Sequence, residues 1–393
     1  MIINALDFES PQLAIDAAVD GDTVYFPSSG VYVPSSVSGT LGFVIDKSIT
    51  ILGDGPGGLG LYPHATPGTL FQPSGNNARV FTLVAPVRSV HFRGIQLLGL
   101  NNPGAGTDYG IVAELSEPGD GEIADIGIDN VIVRNFAGDG LRFIGFNTVT
   151  DRIARLTIAN SRVEGCGSVG VRMTNVVGAV LRNVAMKDNK RGGCVATTST
   201  IGCYACEFDG NGLSASGPTD ANALLDNCAM GRIDGCRFIN VQKSGAKRAL
   251  TVNKGSAVVS ASEFTATSAP GTQGVLLTGN GGGPFAVLSH RFENIATLVK
   301  ADAGVQNVVL LAQYDVSGTG SFSLAAGACV FGVPHIARAS ANIMSAMAVP
   351  WSPLEPNAQQ ARPGMLFYNT TLQALRFRTG SGWKTVGTGP PTP

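Results

Sequence analysis

The chain has 393 residues, with 27 lysines and arginines against 28 aspartates and glutamates, for a formal net charge of −1. That balance argues against a nucleic-acid partner, while 14% charged residues and 52 glycines exclude a charge-rich disordered chain and suit short strands joined by tight turns. No basic stretch or long apolar run opens the sequence, so neither a signal peptide nor a membrane span is expected, and the length permits several domains or one long solenoid.

The start reads as a cap. Ser10 suits an N-cap, Pro11 suits the first helical position, Leu13, Ala14, Ala17 and Ala18 form an apolar stripe, and Gly21 stops the helix. A solenoid needs such a cover, because its first coil otherwise exposes an unpaired edge and an open core. Strand signals follow at Thr23–Phe26, and again at 31–33 after a Pro-Ser-Ser-Gly turn.

These residues carry a resemblance. Ile15, Ala18, Gly21, Asp22, Val24, Pro27, Gly30 and Tyr32 match the opening of pectin-lyase-like, right-handed parallel β-helix proteins, a family that includes phage tailspikes, and residues 48–53 resemble the coil that usually follows. The resemblance spans roughly residues 8–316 and is specific for architecture. It implies an all-β fold: a right-handed, single-stranded parallel β-helix with an N-terminal capping helix and a small C-terminal β unit. Residues 53–58 also fit G-x-G-x-x-G, the phosphate-cradling turn of dinucleotide sites. That motif must open a helix, and Pro63 and Pro67 forbid one, so a glycine-rich corner is the better reading.

The strongest signal is a short pattern in residues 158–210 that recurs after 23 and then 22 residues, too close for separate domains and right for stacked coils. Aligning on its large apolar position gives Leu97, Val133, Val163, Met186, Phe208, Phe238, Phe264, Phe292 and Tyr314. Longer intervals imply loop insertions, with residues 100–124 the largest candidate. Small polar residues eleven places upstream (Asn175, Thr197 and Asn227) suggest a corner, where asparagine tolerates left-handed geometry.

The register sorts neighbouring residues into columns. One place before the apolar column stand Arg162, Ala185, Glu207, Arg237, Glu263, Arg291 and Gln313; one place after it stand Arg134, Glu164, Lys187 and Asp209. Strand alternation points both columns outward, and their charges mostly alternate in sign from coil to coil. Two places before it, Ser161, Cys206, Cys236, Ser262 and His290 fall in one inward column. The seven cysteines lack metal-ligand spacing; Cys203 and Cys206 form a C-x-x-C inside one expected strand and read as buried thiols, consistent with assembly in a reducing cytoplasm.

The expected divisions are a cap and first coil over 1–34, the β-helix over 35–316, an unassigned transition over 317–348, a proline-rich linker over 349–363, a small β module over 364–388 and a loose tail over 389–393. In the module, Phe367, Tyr368, Asn369, Thr370, Thr371, Leu375, Arg376, Phe377 and Trp383 resemble a unit common near the ends of phage tail and fibre proteins.

The chemistry is less legible. The calcium-carboxylate and arginine set of pectate-lyase-like sites, the Asn-Thr-Asp, Asp-Asp and Gly-His-Gly of polygalacturonase-like sites, and the Asp-Pro-His-Glu of alginate-epimerase-like sites do not stand out in this sequence; no metal or cofactor is expected. The four histidines, His64, His91, His290 and His335, lie far apart. The candidate acids are Glu207 and Asp209, two apart on one strand face, with Asp188 a coil earlier; glycoside hydrolysis needs such a pair. The same residues also belong to the charge columns, where Arg237 and Lys187 hold them ionised, and that reading is favoured. Lys187, Lys190 and Arg191 are candidates for an anionic glycan, and Tyr368 and Trp383 for partner contact. The favoured function is a non-enzymatic virion component (tail spike, fibre or decoration) contacting other virion proteins or bacterial surface polysaccharide. The alternative is a tailspike-like depolymerase. The resemblance further implies a homotrimer located in the virion.

Overall fold

The computed structural model describes residues 1–28, 30–35, 41–57, 68–100, 107–146, 148, 150–212, 221–239, 241, 248–267, 271–279, 284–305, 308–316, 320–324, 330–331, 336–338, 351–352, 366–369, 374–379 and 382–388. A first strand that the sequence reading missed, Ile2–Asn4, pairs in parallel with Thr23–Phe26. The cap helix is Pro11–Ala17; Ser10 Oγ accepts a hydrogen bond from Leu13 N at 3.4 Å and Pro11 lies in its first turn. Its buried side differs from the expected stripe. Ala14, Ile15 and Ala18 face the core, whereas Leu13 is 45% exposed and Ala17 is exposed too. Over barely two turns, burial follows which residues overlie the first coil, and positions 14, 15 and 18 share that side.

Each coil contributes three strands, one to each face of a parallel β-helix. Ile153–Ala159, Arg162–Glu164 and Val169–Thr174 form one coil; Ala179–Arg182, Ala185–Lys187 and Gly192–Thr197 stack on them in parallel. The first and second faces join into a 24-stranded sheet and the third is an 11-stranded sheet among the described residues. The corners are left-handed residues in columns. Asn130, Asn160, Asn183 and Ala205 turn the chain from the first face to the second at φ between 48° and 54°. Glycine and asparagine tolerate this conformation best. The ladder continues through the corner, since Asn160 N donates to Arg182 O at 3.1 Å and Asn183 N to Tyr204 O at 3.0 Å. Parallel pairing therefore runs unbroken around it.

The apolar column stacks as aligned from Leu97 to Phe292. It slips at the last position: Tyr314 pairs with Arg291, and Asp315, fully buried, continues the column above Phe292. Here Phe285–Glu293 and Val308–Asp315 run as single continuous strands, so the final interval is set by the strands and not by an aromatic signal. Gln313 accordingly lies above His290 in the inward column, not in the outward one. Thr197 is likewise one residue off, because the left-handed corner residue beside Asn175 is Thr198 (φ 48°); an extra left-handed residue at Gly178 lengthens the preceding coil. The stretch 100–124 is not a simple insertion, since Tyr109–Glu114 is a third-face strand inside it.

Pairing also extends past residue 316. Ser321–Leu324 continues the third face, while Val330–Phe331 and Ile336–Arg338 pair with Val308–Asp315. The C-terminal strands Leu366–Asn369, Ala374–Thr379 and Gly382–Thr388 pair antiparallel, and Trp351–Ser352, inside the stretch read as linker, pairs in parallel with Tyr368 and Asn369.

The stacking repeat dictates the core. Rungs about 4.7–4.9 Å apart place Phe208, Phe238, Phe264 and Phe292 face to face, with ring centroids 4.7, 4.8 and 4.9 Å apart and planes within 14°. Buried polar groups follow the same rule. Asn189 Nδ2 donates to Asn211 Oδ1 at 2.8 Å, and Asn211 N donates to Asn222 Oδ1 at 2.7 Å. Cys203 and Cys206 are buried free thiols, as expected.

His290 is 2% exposed in this interior. Its Nδ1 accepts from Ser262 N and its Nε2 donates to Val259 O, each at 3.1 Å, an arrangement that only the neutral ring satisfies. Burial lowers its pKa from 6.5 to about 4. Because the folded value lies below the unfolded one, this contribution is complete above pH 6.5 and is lost as pH falls from 6.5 toward 4. The loss across that window should be on the order of 3 kcal/mol. Gln313, one rung above, makes the equivalent donation to Val287 O at 2.9 Å, so His290→Gln should keep the bond and remove the titration. Melting temperatures at about pH 7.5 and about pH 4.5 check this: wild type should lose more stability than the variant, and parallel losses would refute it.

Candidate functional site

The outward columns of the second face hold the acids singled out from sequence. Glu207 and Asp209 lie on one three-residue strand, Glu207–Asp209, and both meet a cation. Arg237 Nη1 lies 3.0 Å from Glu207 Oε2, and Lys187 Nζ lies 3.1 Å from Asp209 Oδ2, with Asp209 only 6% exposed. The Asp209 hydrogen bond and charge raise the Lys187 pKa. Asp188 occupies a left-handed corner (φ 54°), where its backbone N–H donates to Asp209 O at 2.9 Å. The first column continues upward as a chain of ion pairs, Arg237–Glu263 at 3.5 Å and Glu263–Arg291 at 2.6 Å, and Arg291 also meets Glu293 on its own strand at 3.4 Å. The second column departs from strict vertical pairing, because Glu164 meets Arg162 on its own strand at 2.6 Å.

Beside these columns a groove of about 530 Å³ runs along the corner between the first and second faces, lined by Asn130, Asn160, Asn183, Arg162, Glu207 and Arg237 among others. Two features of the sequence create it. Ala185 is the small residue between Arg162 and Glu207 in the outward column, so the surface dips there. The corner asparagines supply a row of outward amides: Asn183 Nδ2 donates to Asn160 Oδ1 at 3.0 Å, and Asn160 Nδ2 to Asp129 Oδ1 at 2.9 Å. Arg162 Nε is buried there without a hydrogen-bond partner among the described residues. The groove is therefore rich in fixed donors and acceptors, while its carboxylate, Glu207, is engaged by Arg237.

The remaining candidates scatter. Lys190 and Arg191 are exposed on the turn between the second and third faces, and Arg191 borders a separate cavity of about 290 Å³ on the third face that includes Asp139, Arg142 and Arg172. Sequence alignment missed these three because it followed one column of the second face. The signal was present nonetheless: Arg142 and Arg172 stand one full coil apart and pair in register. Tyr368 and Trp383 lie on the C-terminal strands, and their side chains are outside the described residues. His64 and His335 are also outside the described residues. His91 lies on the first face with Nε2 3.2 Å from Ser89 Oγ; burial, and then the charge of Arg93, lower its pKa. No group of three or more metal-ligating side chains occurs among the described residues.

Residues 119–290 match the family model described as the right-handed beta helix region. Among solved structures, the A-module of Azotobacter vinelandii mannuronan C-5 epimerase AlgE6 is 15% identical at a TM-score of 0.52, the match covering 86% of this chain and all of that one. ORF18 of Geobacillus virus E2 is 15% identical at a TM-score of 0.52, covering 99% of this chain and 86% of that one. The tailspike gp49 of Acinetobacter baumannii bacteriophage Fri1, a capsular polysaccharide depolymerase, is 12% identical at 0.42, covering 84% and 60%. No curated protein sequence matches significantly. At such identities the likenesses show the fold alone, and that fold is the right-handed parallel β-helix.

Reversing Glu263 to lysine tests the charge column. Glu263→Lys sets three cations in a row with Arg237 and Arg291, and like charges on adjacent strands repel by about as much as opposite ones attract, roughly 0.2–1 kcal/mol each. The melting temperature should fall more at low salt than in molar salt, because salt screens exposed charges. A salt-independent fall would point to packing instead.

Proposed function

We propose that the protein is a virion component of the tail-spike or fibre type that attaches to bacterial surface polysaccharide, or to neighbouring virion proteins, without cleaving the glycan. The observation that carries the reading is the corner groove. Its amides and guanidinium groups are hydrogen-bonding partners of the kind that orient a polar ligand; the amides of Asn130, Asn160 and Asn183 repeat at the rung spacing, about 4.7–4.9 Å, close to the length of one pyranose unit, and Arg162 and Arg237 stand three rungs apart along the same groove. A polysaccharide lying along the helix axis thus meets an amide at each of three successive rungs. The groove's acid, Glu207, is already paired with Arg237 at 3.0 Å, so it is not a carboxyl free to reach a glycosidic oxygen. The resemblance in the opening coils and the fold match to a viral protein across 99% of this chain favour the virion setting. Trimer formation, and docking of the C-terminal strands on virion partners, belong to the same reading.

The alternative, a polysaccharide depolymerase, rests on Glu207 and Asp209 sharing one strand. Incubation with capsular and lipopolysaccharide extracts decides between the two. The expected result is retention of a glycan by the protein, weakened at least severalfold by Arg162→Ala, with no new reducing ends or unsaturated sugars. Sustained release of either product would overturn the non-enzymatic reading, and its loss in Glu207→Gln or Asp209→Asn would assign the chemistry to that pair.

A further inference from the structure

On the third face two arginines are stacked in register. Arg142 and Arg172 pair on adjacent parallel strands, Leu141–Ile144 and Val169–Thr174, and both point outward, each side chain 26% exposed. Like charges one rung apart repel, so the pair exists because something anchors it. That anchor is Asp139, 2% exposed, which meets Arg172 Nε at 2.7 Å, Arg172 Nη2 at 3.3 Å and Arg142 Nη1 at 3.1 Å, and also accepts from Val169 N at 3.0 Å. Burial pushes the Asp139 carboxyl up, but the Arg172 hydrogen bond and charge outweigh it and hold the group below its ordinary value. Glu114 braces the other side of Arg142 at 3.1 Å and meets Arg79 at 3.4 Å.

This arrangement leaves cationic capacity aimed outward. A guanidinium carries five N–H donors, and Arg172 spends Nε and Nη2 on Asp139 and Ser168, leaving Nη1 for a ligand. Arg191, on the next turn, is exposed; its backbone N–H donates to Ser168 O at 2.9 Å, and its side chain has no hydrogen-bond partner among the described residues. Counting Glu114 with Arg79, and Asp108, whose carboxylate is taken by the backbone N–H groups of Leu100 and Ala137, the cations still outnumber the carboxylates around the cavity. Tyr109 forms an aromatic wall, with the Arg142 guanidinium carbon 5.7 Å from its ring centroid. Gly138 is needed to seat that ring: a Cβ there would lie 2.7 Å from Tyr109 Cε1. The cavity, about 290 Å³, suits one or two sugar rings.

We propose that this third-face cavity is a subsite for the carboxylate of an acidic sugar, with Arg172 and Arg191 receiving the anion and Tyr109 facing the ring. Asp139 acts as the positioning residue, fixing the guanidinium planes before the ligand arrives, so little side-chain freedom is lost on binding. Arginine suits the task because its planar fork matches a carboxylate with two parallel hydrogen bonds. The inference rests on the reading of the protein as a glycan binder and adds the sugar class.

The test uses the full chain and three probes in saturation-transfer NMR and calorimetry: cellobiouronic acid, neutral cellobiose and sodium sulfate. The acidic disaccharide should bind and cellobiose should not at the same concentration. Arg191→Ala, a surface change, should weaken the acidic disaccharide at least tenfold, while Arg232→Ala, an exposed change on the first face outside both the groove and the cavity, should leave it unchanged. Equal binding of both disaccharides, sulfate binding without cellobiouronic acid binding, or an unaffected Arg191→Ala variant would each overturn the proposal. Binding of cellobiouronic acid by a protein that retains no bacterial polysaccharide would uphold the subsite and refute attachment to surface polysaccharide. Retention of polysaccharide without any uronate binding would do the reverse.

Discussion

The hydrogen-bond ladder between successive coils is the constraint on which the rest of this protein depends. Parallel pairing fixes each residue directly above its counterpart one rung below, so every position in the coil becomes a column with a single spacing. A column of phenylalanines must then stack ring on ring, as Phe208, Phe238, Phe264 and Phe292 do. Buried amides must bond to the amide above, as Asn189 does to Asn211. Outward charges must alternate or be braced, and the Arg237–Glu263–Arg291 series and the Asp139-braced arginines are the two solutions present here.

The same constraint shapes where function can sit. A column that satisfies its own charges is a scaffold, because each carboxylate already has a cation at hydrogen-bond distance. Recognition chemistry is found where the column is interrupted. Ala185 opens the corner groove between two charged rungs. On the third face two rungs carry the same charge instead of opposite charges, and the anchor that makes this tolerable lies behind them. In each place the departure leaves donors facing solvent in fixed positions.

Much of this was legible in the sequence because a solenoid writes its vertical neighbours at a nearly constant interval. The column from Leu97 to Phe292 could be aligned from spacing alone, and with it the pairing of Glu207 with Arg237 and of Lys187 with Asp209. The misplacements share one cause. Tyr314 and Thr197 were each set one residue away from their true column positions by a one-residue change in coil length, which flips no obvious pattern in the sequence. A lone aromatic or threonine marks a place in the coil less firmly than the pairing of the whole strand. Leu13 was set inside by helical periodicity, but a helix this short is oriented by what it covers.

The sequence by itself determined the class of fold, the inward and outward faces of the second-face strands from Leu97 to Phe292, and the pairing of Glu207 and Asp209 with cations, because these follow from alternation within a strand and recurrence between coils. Only the tertiary structure decided which corner is a groove and that Asp139, Arg142, Arg172 and Arg191 meet in one cavity. Those residues come from three successive coils and from a turn as well as a strand. Their convergence depends on how sharply each left-handed corner turns the chain, a quantity that spacing along the sequence does not contain.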